Sequence, residues 1–242
     1  MSDLDLPYDN RTGRGPGRVV RALGLVVPGI NRVRAQAEPY ADEWSARNRE
    51  ALGMPGRRWI ALGDSMSQGV GASSPDAGLV GLLAGRLADA GHELRVVNLS
   101  ATGARVSDLV EQQVPVMQAL PPSDPAAGPD LVTVVAGSND LFGGRQHSSA
   151  LPDLMRRLVG LLPRGAVVAT LPQPSAAARE ANTHLDDAAR HGHVRLVDLR
   201  TSGPTSWKGM LAPDFFHPND RGYAAMAEAF EPVLLAALQE DQ

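Results

Sequence analysis

Ser65 stands behind the apolar run Arg58-Trp59-Ile60-Ala61-Leu62 and the pair Gly63-Asp64, where a buried strand should give way to a helix. A hydroxyl delivered there reaches the rim of a sheet near the positive end of a helix dipole, which suits a nucleophile. An isolated Gly-Asp-Ser is as readily a turn or a helix cap, so the weight falls on its companions. Asp214 and His217 lie three residues apart on one loop ahead of the last helical segment. A carboxylate so placed can orient an imidazole and leave the ring's other nitrogen to face a serine as general base. Asn139, within Gly137-Ser138-Asn139-Asp140, follows another apolar run, and its neutral amide suits a donor to charge developing on a carbonyl oxygen. The plainer reading of Asn139 is a buried turn asparagine. A hydroxyl, a base and a polar donor at strand ends are what attack on an ester carbonyl requires.

Other chemistries find less support. Gly69-Val70-Gly71 has Ser74 where a dinucleotide-binding loop wants glycine, and no Gly-Lys-Ser/Thr follows for a phosphate-binding loop. Asp64 before the serine and Met66-Ser67 after it depart from the nucleophile elbow of α/β-hydrolases. Among the rival histidines, His184 and His191 sit in a polar helical stretch, His193 follows Gly192, and His92 follows Gly91; His147 is the fifth. His191 and His193 do not share a helical face, so no metal site is expected, and the chemistry calls for no cofactor. Cysteine is absent, which removes disulfides, thiolate nucleophiles and Cys-based metal centres. A net charge of -4 gives no basic field for nucleic acid. Asp140 and Asp198 read as structural, whereas Asn182 and Trp207 are placed by chain position alone beside the acyl or leaving group.

The elements that must position these residues follow from periodicity. Short aliphatic or β-branched runs flanked by Gly, Pro, Ser or Asn recur at Arg58 to Leu62, Leu94 to Asn98, Leu131 to Ala136, Ala166 to Leu171 and Val194 to Leu199. Helical periods fill the gaps at Leu79 to Ala90, Val106 to Leu120, Leu151 to Leu162, Ala176 to His191 and Tyr223 to Leu238. Apolar strands alternating with amphipathic helices imply an α/β domain whose mostly parallel sheet is covered on both faces. Its ligand crevice belongs at the carboxyl ends of the strands. With 43% hydrophobic residues in 242, one such domain is the expectation.

In this order the segments resemble the blocks of the SGNH hydrolase family, the GDSL esterases and lipases. Gly63-Asp64-Ser65 resembles its serine block, Gly103 its glycine block, Gly137-Ser138-Asn139-Asp140 its Gly-x-Asn-Asp block, and Asp214-x-x-His217 its terminal block. Met66 replaces the leucine of the common Gly-Asp-Ser-Leu form. The resemblance implies a flavodoxin-like three-layer α/β/α sandwich with a five-stranded parallel sheet. It implies Ser65, Asp214 and His217 as catalytic residues, and an oxyanion hole from the backbone N–H groups of Ser65 and Gly103 and the amide of Asn139. The expected activity is hydrolysis of carboxylic esters through an acyl-enzyme on Ser65, acting on a small-molecule, lipid or carbohydrate ester. Thioesterase or acyltransferase activity at the same site, and a non-catalytic binding module, are the alternatives.

Residues 1–16 are polar, rich in Gly and Pro and without apolar period, and read as a flexible tail. Residues 17–57 read as a helical extension, with Tyr40, Trp44 and Ala51 at helical spacing from Glu38 to Leu52, and 58–242 as the hydrolase domain. Arg18 to Arg34 is either an amphipathic packing helix or a surface or lipid-facing flap beside the active site. Arg18 and Arg21 ahead of Ala22 to Ile30 resemble an export signal, but Asp3 and Asp5 precede them and Pro28-Gly29 breaks the apolar run. No apolar stretch reaches the roughly 20 residues of a membrane-spanning helix. A cytoplasmic location without a transmembrane segment is expected, with secretion as the alternative.

Overall fold

The computed structural model describes residues 8–15, 27–123 and 125–240. Helices α1 (Pro28–Arg34) and α2 (Ala37–Gly53) precede strand β1 (Arg58–Gly63), which opens the alternation. There follow α3 (Ser65–Gln68), α4 (Leu79–Asp89) and β2 (Arg95–Asn98). Next comes a helical stretch made of α5 (Val106–Asp108), a π-helical turn (Leu109–Gln113) and α6 (Val114–Ala119). β3 (Leu131–Val135), α7 (Ser138–Phe142), α8 (Arg145–Leu161), β4 (Ala166–Ala169), α9 (Ala176–Arg190), β5 (Val194–Val197) and α10 (Asp220–Glu240) complete it.

The five strands pair in parallel in the order β2-β1-β3-β4-β5, the flavodoxin-like arrangement expected from the motifs. Alternate residues of β1 serve opposite faces: Ile60 and Leu62 join Val97, Val132, Val134 and the inner sides of α8 and α9. Trp59 and Ala61 join Leu131, Val135, Val167 and the inner sides of α4 and α10. Both faces are therefore dry, which is why the strands read as continuous apolar runs. Strand order reverses between β1 and β3, so the crevice of such a sheet opens where those two strands end. Ser65 follows β1 and Asn139 follows β3.

The extension closes an edge of the sheet. Along β2, Asn98 donates its N–H to Asn48 Oδ1 (2.7 Å) and accepts from Asn48 Nδ2 (2.8 Å), so α2 satisfies backbone groups that an open edge would expose. Trp44 Nε1 donates to Gln68 O (3.0 Å), and Tyr40 OH to Ala72 O (2.9 Å). The helix thus packs against the domain and buttresses the loop beyond Ser65.

The polar stretch expected to be a tail differs from that expectation over residues 8–15. Asn10 is 1% exposed and left-handed (φ 60°). Its amide donates to Asn98 O (2.6 Å) and Ser100 O (2.9 Å), and its carbonyl accepts from Gln68 Nε2 (2.9 Å). Tyr8 OH donates to Leu99 O (2.6 Å). Long-range polar pairing orders the segment, and that leaves no periodic trace in sequence. Residues 1–7 and 16–26, which carry most of the export-like pattern, lie outside the described residues. No helix among the described residues is long and apolar enough to cross a membrane.

Candidate active site

Gly63 ends β1 at a close approach: a Cβ there would lie 2.4 Å from Val135 O and 2.5 Å from Ser67 Oγ. Both its backbone groups meet one side chain, with Gly63 N–H donating to Gln113 Oε1 and Gln113 Nε2 donating to Gly63 O, each at 2.8 Å. Asp64 caps α3 by accepting from Met66 N (2.9 Å), which sets Ser65 as the first helical residue. Burial pushes the Asp64 carboxyl up to about 6.

The loop carrying Asp214 and His217 is closed by pairing of Leu211 with Pro218 and by Ala212 N donating to His217 O (2.8 Å). Asp214 Oδ1 accepts from the N–H groups of Phe216 and His217, both at 3.1 Å, and Oδ2 lies 2.5 Å from His217 Nδ1. A carboxylate can only accept, so Nδ1 carries the proton and Nε2 presents a lone pair. That lone pair faces Ser65 Oγ at 2.9 Å. Burial opposes ionisation of Asp214, but the bond from His217, its charge and the two backbone N–H groups outweigh burial and hold the carboxyl below its usual range. Gly71 lets the loops meet, because a Cβ there would lie 2.3 Å from Pro218 O and 2.7 Å from His217 Cβ.

Asn139 sits in the first turn of α7, and its Nδ2 donates to Ala104 O (2.9 Å) and lies 3.4 Å from Asp64 Oδ2. The N–H groups of Ser65 and Gly103 meet no protein acceptor among the described residues. Asp140 accepts from Val106 N (3.0 Å), tying α7 to α5, and burial raises its carboxyl to about 6.

A cavity of about 410 Å³ is walled by Met66, which follows Ser65, by Phe216 and Pro218, which flank His217, and by Ala136, Leu171, Phe142 and Trp207 among others. Phe216 stands edge-on to His217 (ring centroids 4.9 Å apart) and to Phe142 (5.4 Å). Trp207, placed by chain position beside the acyl or leaving group, lines this cavity. Asn182 does not: it is buried against Leu171, donating to Leu171 O (2.8 Å) and accepting from Leu171 N (2.9 Å). That bracket supports the end of β4, and Asn182 is 4% exposed and does not line the cavity. His191 Nδ1 and His193 Nε2 lie within hydrogen-bond distance of the backbone carbonyls of Asp187 and Val159, away from Ser65. Gln113, Gln68 and Asn10 were not singled out by sequence; the only local signal for any of them is a polar residue on an otherwise apolar helical face at Gln113.

A family model for the GDSL-like Lipase/Acylhydrolase family matches residues 61–225. A search of curated proteins found no match. Among solved structures, one described as TesA is 24% identical with a TM-score of 0.57, covering 75% of this chain and 99% of its own. A family 3 carbohydrate esterase of Clostridium thermocellum is 17% identical with a TM-score of 0.58, covering 77% and 100%. AlinE4, an SGNH-hydrolase family esterase, is 21% identical with a TM-score of 0.53, covering 77% and 99%. These likenesses concern the fold. With the family model matching more than half of the chain, the protein belongs to the GDSL-like lipase/acylhydrolase family, the SGNH hydrolases.

Proposed function

We propose that the protein is a serine esterase that cleaves carboxylic esters through an acyl-enzyme on Ser65. The observation that carries this reading is the hydrogen-bond chain from Asp214 through His217 to Ser65 Oγ. In the first step Ser65 Oγ attacks the ester carbonyl carbon as its proton passes to His217 Nε2, and Asp214 stabilises the imidazolium that forms. The oxyanion accepts from the N–H groups of Ser65 and Gly103, which have no other protein acceptor among the described residues, and from Asn139. The bond from Asn139 Nδ2 to Ala104 O fixes the plane of the amide, and its second hydrogen, held only by a long 3.4 Å contact to Asp64 Oδ2, turns to the oxyanion as charge develops. Collapse breaks the ester C–O bond, and His217 returns its proton to the departing alkoxide. Water then loses a proton to His217, attacks the acyl carbon and releases the acid with Ser65 restored.

The cavity of about 410 Å³ supports the choice of substrate, since its walls are mainly aliphatic and aromatic. Its size lies within the range of small-molecule sites, roughly 300–1,000 Å³. We assign it to an apolar acyl group whose carbonyl carbon reaches Ser65. Treatment with a fluorophosphonate tests the reading: one covalent adduct on Ser65, lost in Ser65→Ala and in His217→Ala, is expected. An unlabelled, folded wild-type protein would contradict it and favour a binding module.

A further inference from the structure

The segment from Asn10 to Arg14 lies outside residues 61–225 of the family match, yet it reaches the loop that carries Gly103. Thr12 Oγ1 donates to Thr102 O (3.3 Å), and Arg14 Nη2 donates to Gly103 O (3.1 Å). Thr102 C=O and Gly103 N–H belong to one rigid peptide plane. A donor on that carbonyl therefore restrains the direction in which the N–H points. Arg14 restrains the next plane, so both peptides flanking Gly103 are held from the same side.

The flanks have other restraints, with Ala104 N donating to Ala101 O (3.0 Å) and Thr102 Oγ1 to Gln68 Oε1 (2.5 Å). Gly103, with φ +79° and no side chain, is the third residue of the turn that the Ala104 bond closes, and its own carbonyl accepts from Arg14. The segment is anchored at both ends. Upstream, Asn10 is buried among the hydrogen bonds described above. Downstream, Nη1 and Nη2 of Arg14 pair with Asp108, whose Oδ2 also accepts from Arg105 N (2.7 Å). Burial would raise the Asp108 carboxyl, but the Arg14 pair and the Arg105 N–H outweigh it and hold the group below its usual range.

We infer that residues 10–14 form a strap that presets the oxyanion donor at Gly103, with Thr12 and Arg14 as positioning residues. The inference rests on the esterase reading of the site. Donors preset for a developing charge lower the barrier because they need no reorganisation during reaction, so the strap acts on kcat more than on substrate binding.

The test measures kcat and KM for a p-nitrophenyl ester, with kcat counted per active site titrated by a fluorophosphonate. Arg14→Ala should lower per-site kcat by about 10-fold or more, within the roughly 10²–10³-fold worth of a whole oxyanion donor, with KM changed little. Thr12→Val keeps the shape and removes the hydroxyl, and should lower per-site kcat by about 3-fold, whereas Thr12→Ser should restore it. Thr12→Val decides the matter if Arg14→Ala does not fold. Wild-type per-site kcat in the variants that fold, or losses seen only as fewer titratable sites, would overturn the inference. Failure of the esterase reading is distinguishable: the unaltered protein would then show no Ser65-dependent turnover, and the inference would fall with it.

Discussion

His217 Nε2 lies 2.9 Å from Ser65 Oγ across 152 residues of chain. The two arrive there from different elements: Ser65 from the turn that ends β1, and His217 from the loop that leads into α10. The contact therefore depends on the whole sheet being assembled, and it leaves the imidazole oriented before any substrate enters. Its orientation comes from Asp214, which accepts from two backbone N–H groups of its own loop as well as from the ring.

That hierarchy predicts unequal losses. His217→Ala removes the base, whereas Asp214→Asn leaves it in place with the wrong nitrogen protonated. In a serine protease, removing the base costs about 10⁶ in kcat and removing the aspartate about 10⁴. The same order is expected here, measured as kcat on one ester with both variants folded. Equal losses, or a larger one for Asp214→Asn, would contradict the assigned roles.

Trp207 is 37% exposed at the edge of the cavity. Trp207→Ala should lower kcat/KM for octanoyl esters by about 10-fold, equivalent to about 1.4 kcal/mol, while acetyl esters should change little. Equal losses on both esters would remove Trp207 from the acyl site.

Gln113 is 1% exposed and is the side-chain partner of both backbone groups of Gly63. It is aimed by the π-helical turn Leu109–Gln113, a local widening of the kind that recurs at functional sites. Gln113→Leu should leave Gly63 N–H buried and unpaired, at a cost of about 1–3 kcal/mol, seen as a lower urea midpoint with unchanged slope. An unaltered midpoint would mean that the turn relaxes to find another partner.

Asp140 tests the electrostatics. Its carboxyl is raised from 3.8 to about 6, so the folded chain keeps a proton that the unfolded chain has lost across that interval. Stability attributable to Asp140 therefore falls as pH rises from about 4 to about 6. Asn at this position keeps an acceptor for Val106 N and does not titrate. The stability of Asp140→Asn relative to wild type should therefore climb across that window. Parallel urea midpoints from about pH 4 to about pH 7 would contradict the shift.

Most of the sheet was legible because its strands are buried on both faces, so runs such as Ile60-Ala61-Leu62 and Ala166 to Ala169 carry no polar interruption. Helix starts were less legible. α8 begins at Arg145, six residues ahead of the apolar period at Leu151, because its first turns are polar and face solvent. Likewise α10 begins at Asp220, ahead of Tyr223. The π-helical turn has no signature in a 3.6-residue period. Asp214 and His217 could be read because they are neighbours in sequence. The docking of Asn10, Thr12 and Arg14 could not, since each pairs with backbone or carboxylate groups some 90 residues away.

The measurement that bears most directly on the central claim is the initial rate of hydrolysis for p-nitrophenyl esters from acetate to palmitate, with Ser65→Ala in parallel. The site predicts turnover that disappears in Ser65→Ala and an optimum at an acyl group that fills the cavity beside His217. Turnover undiminished in Ser65→Ala, or none in a folded wild-type protein on any member of the series, would contradict it.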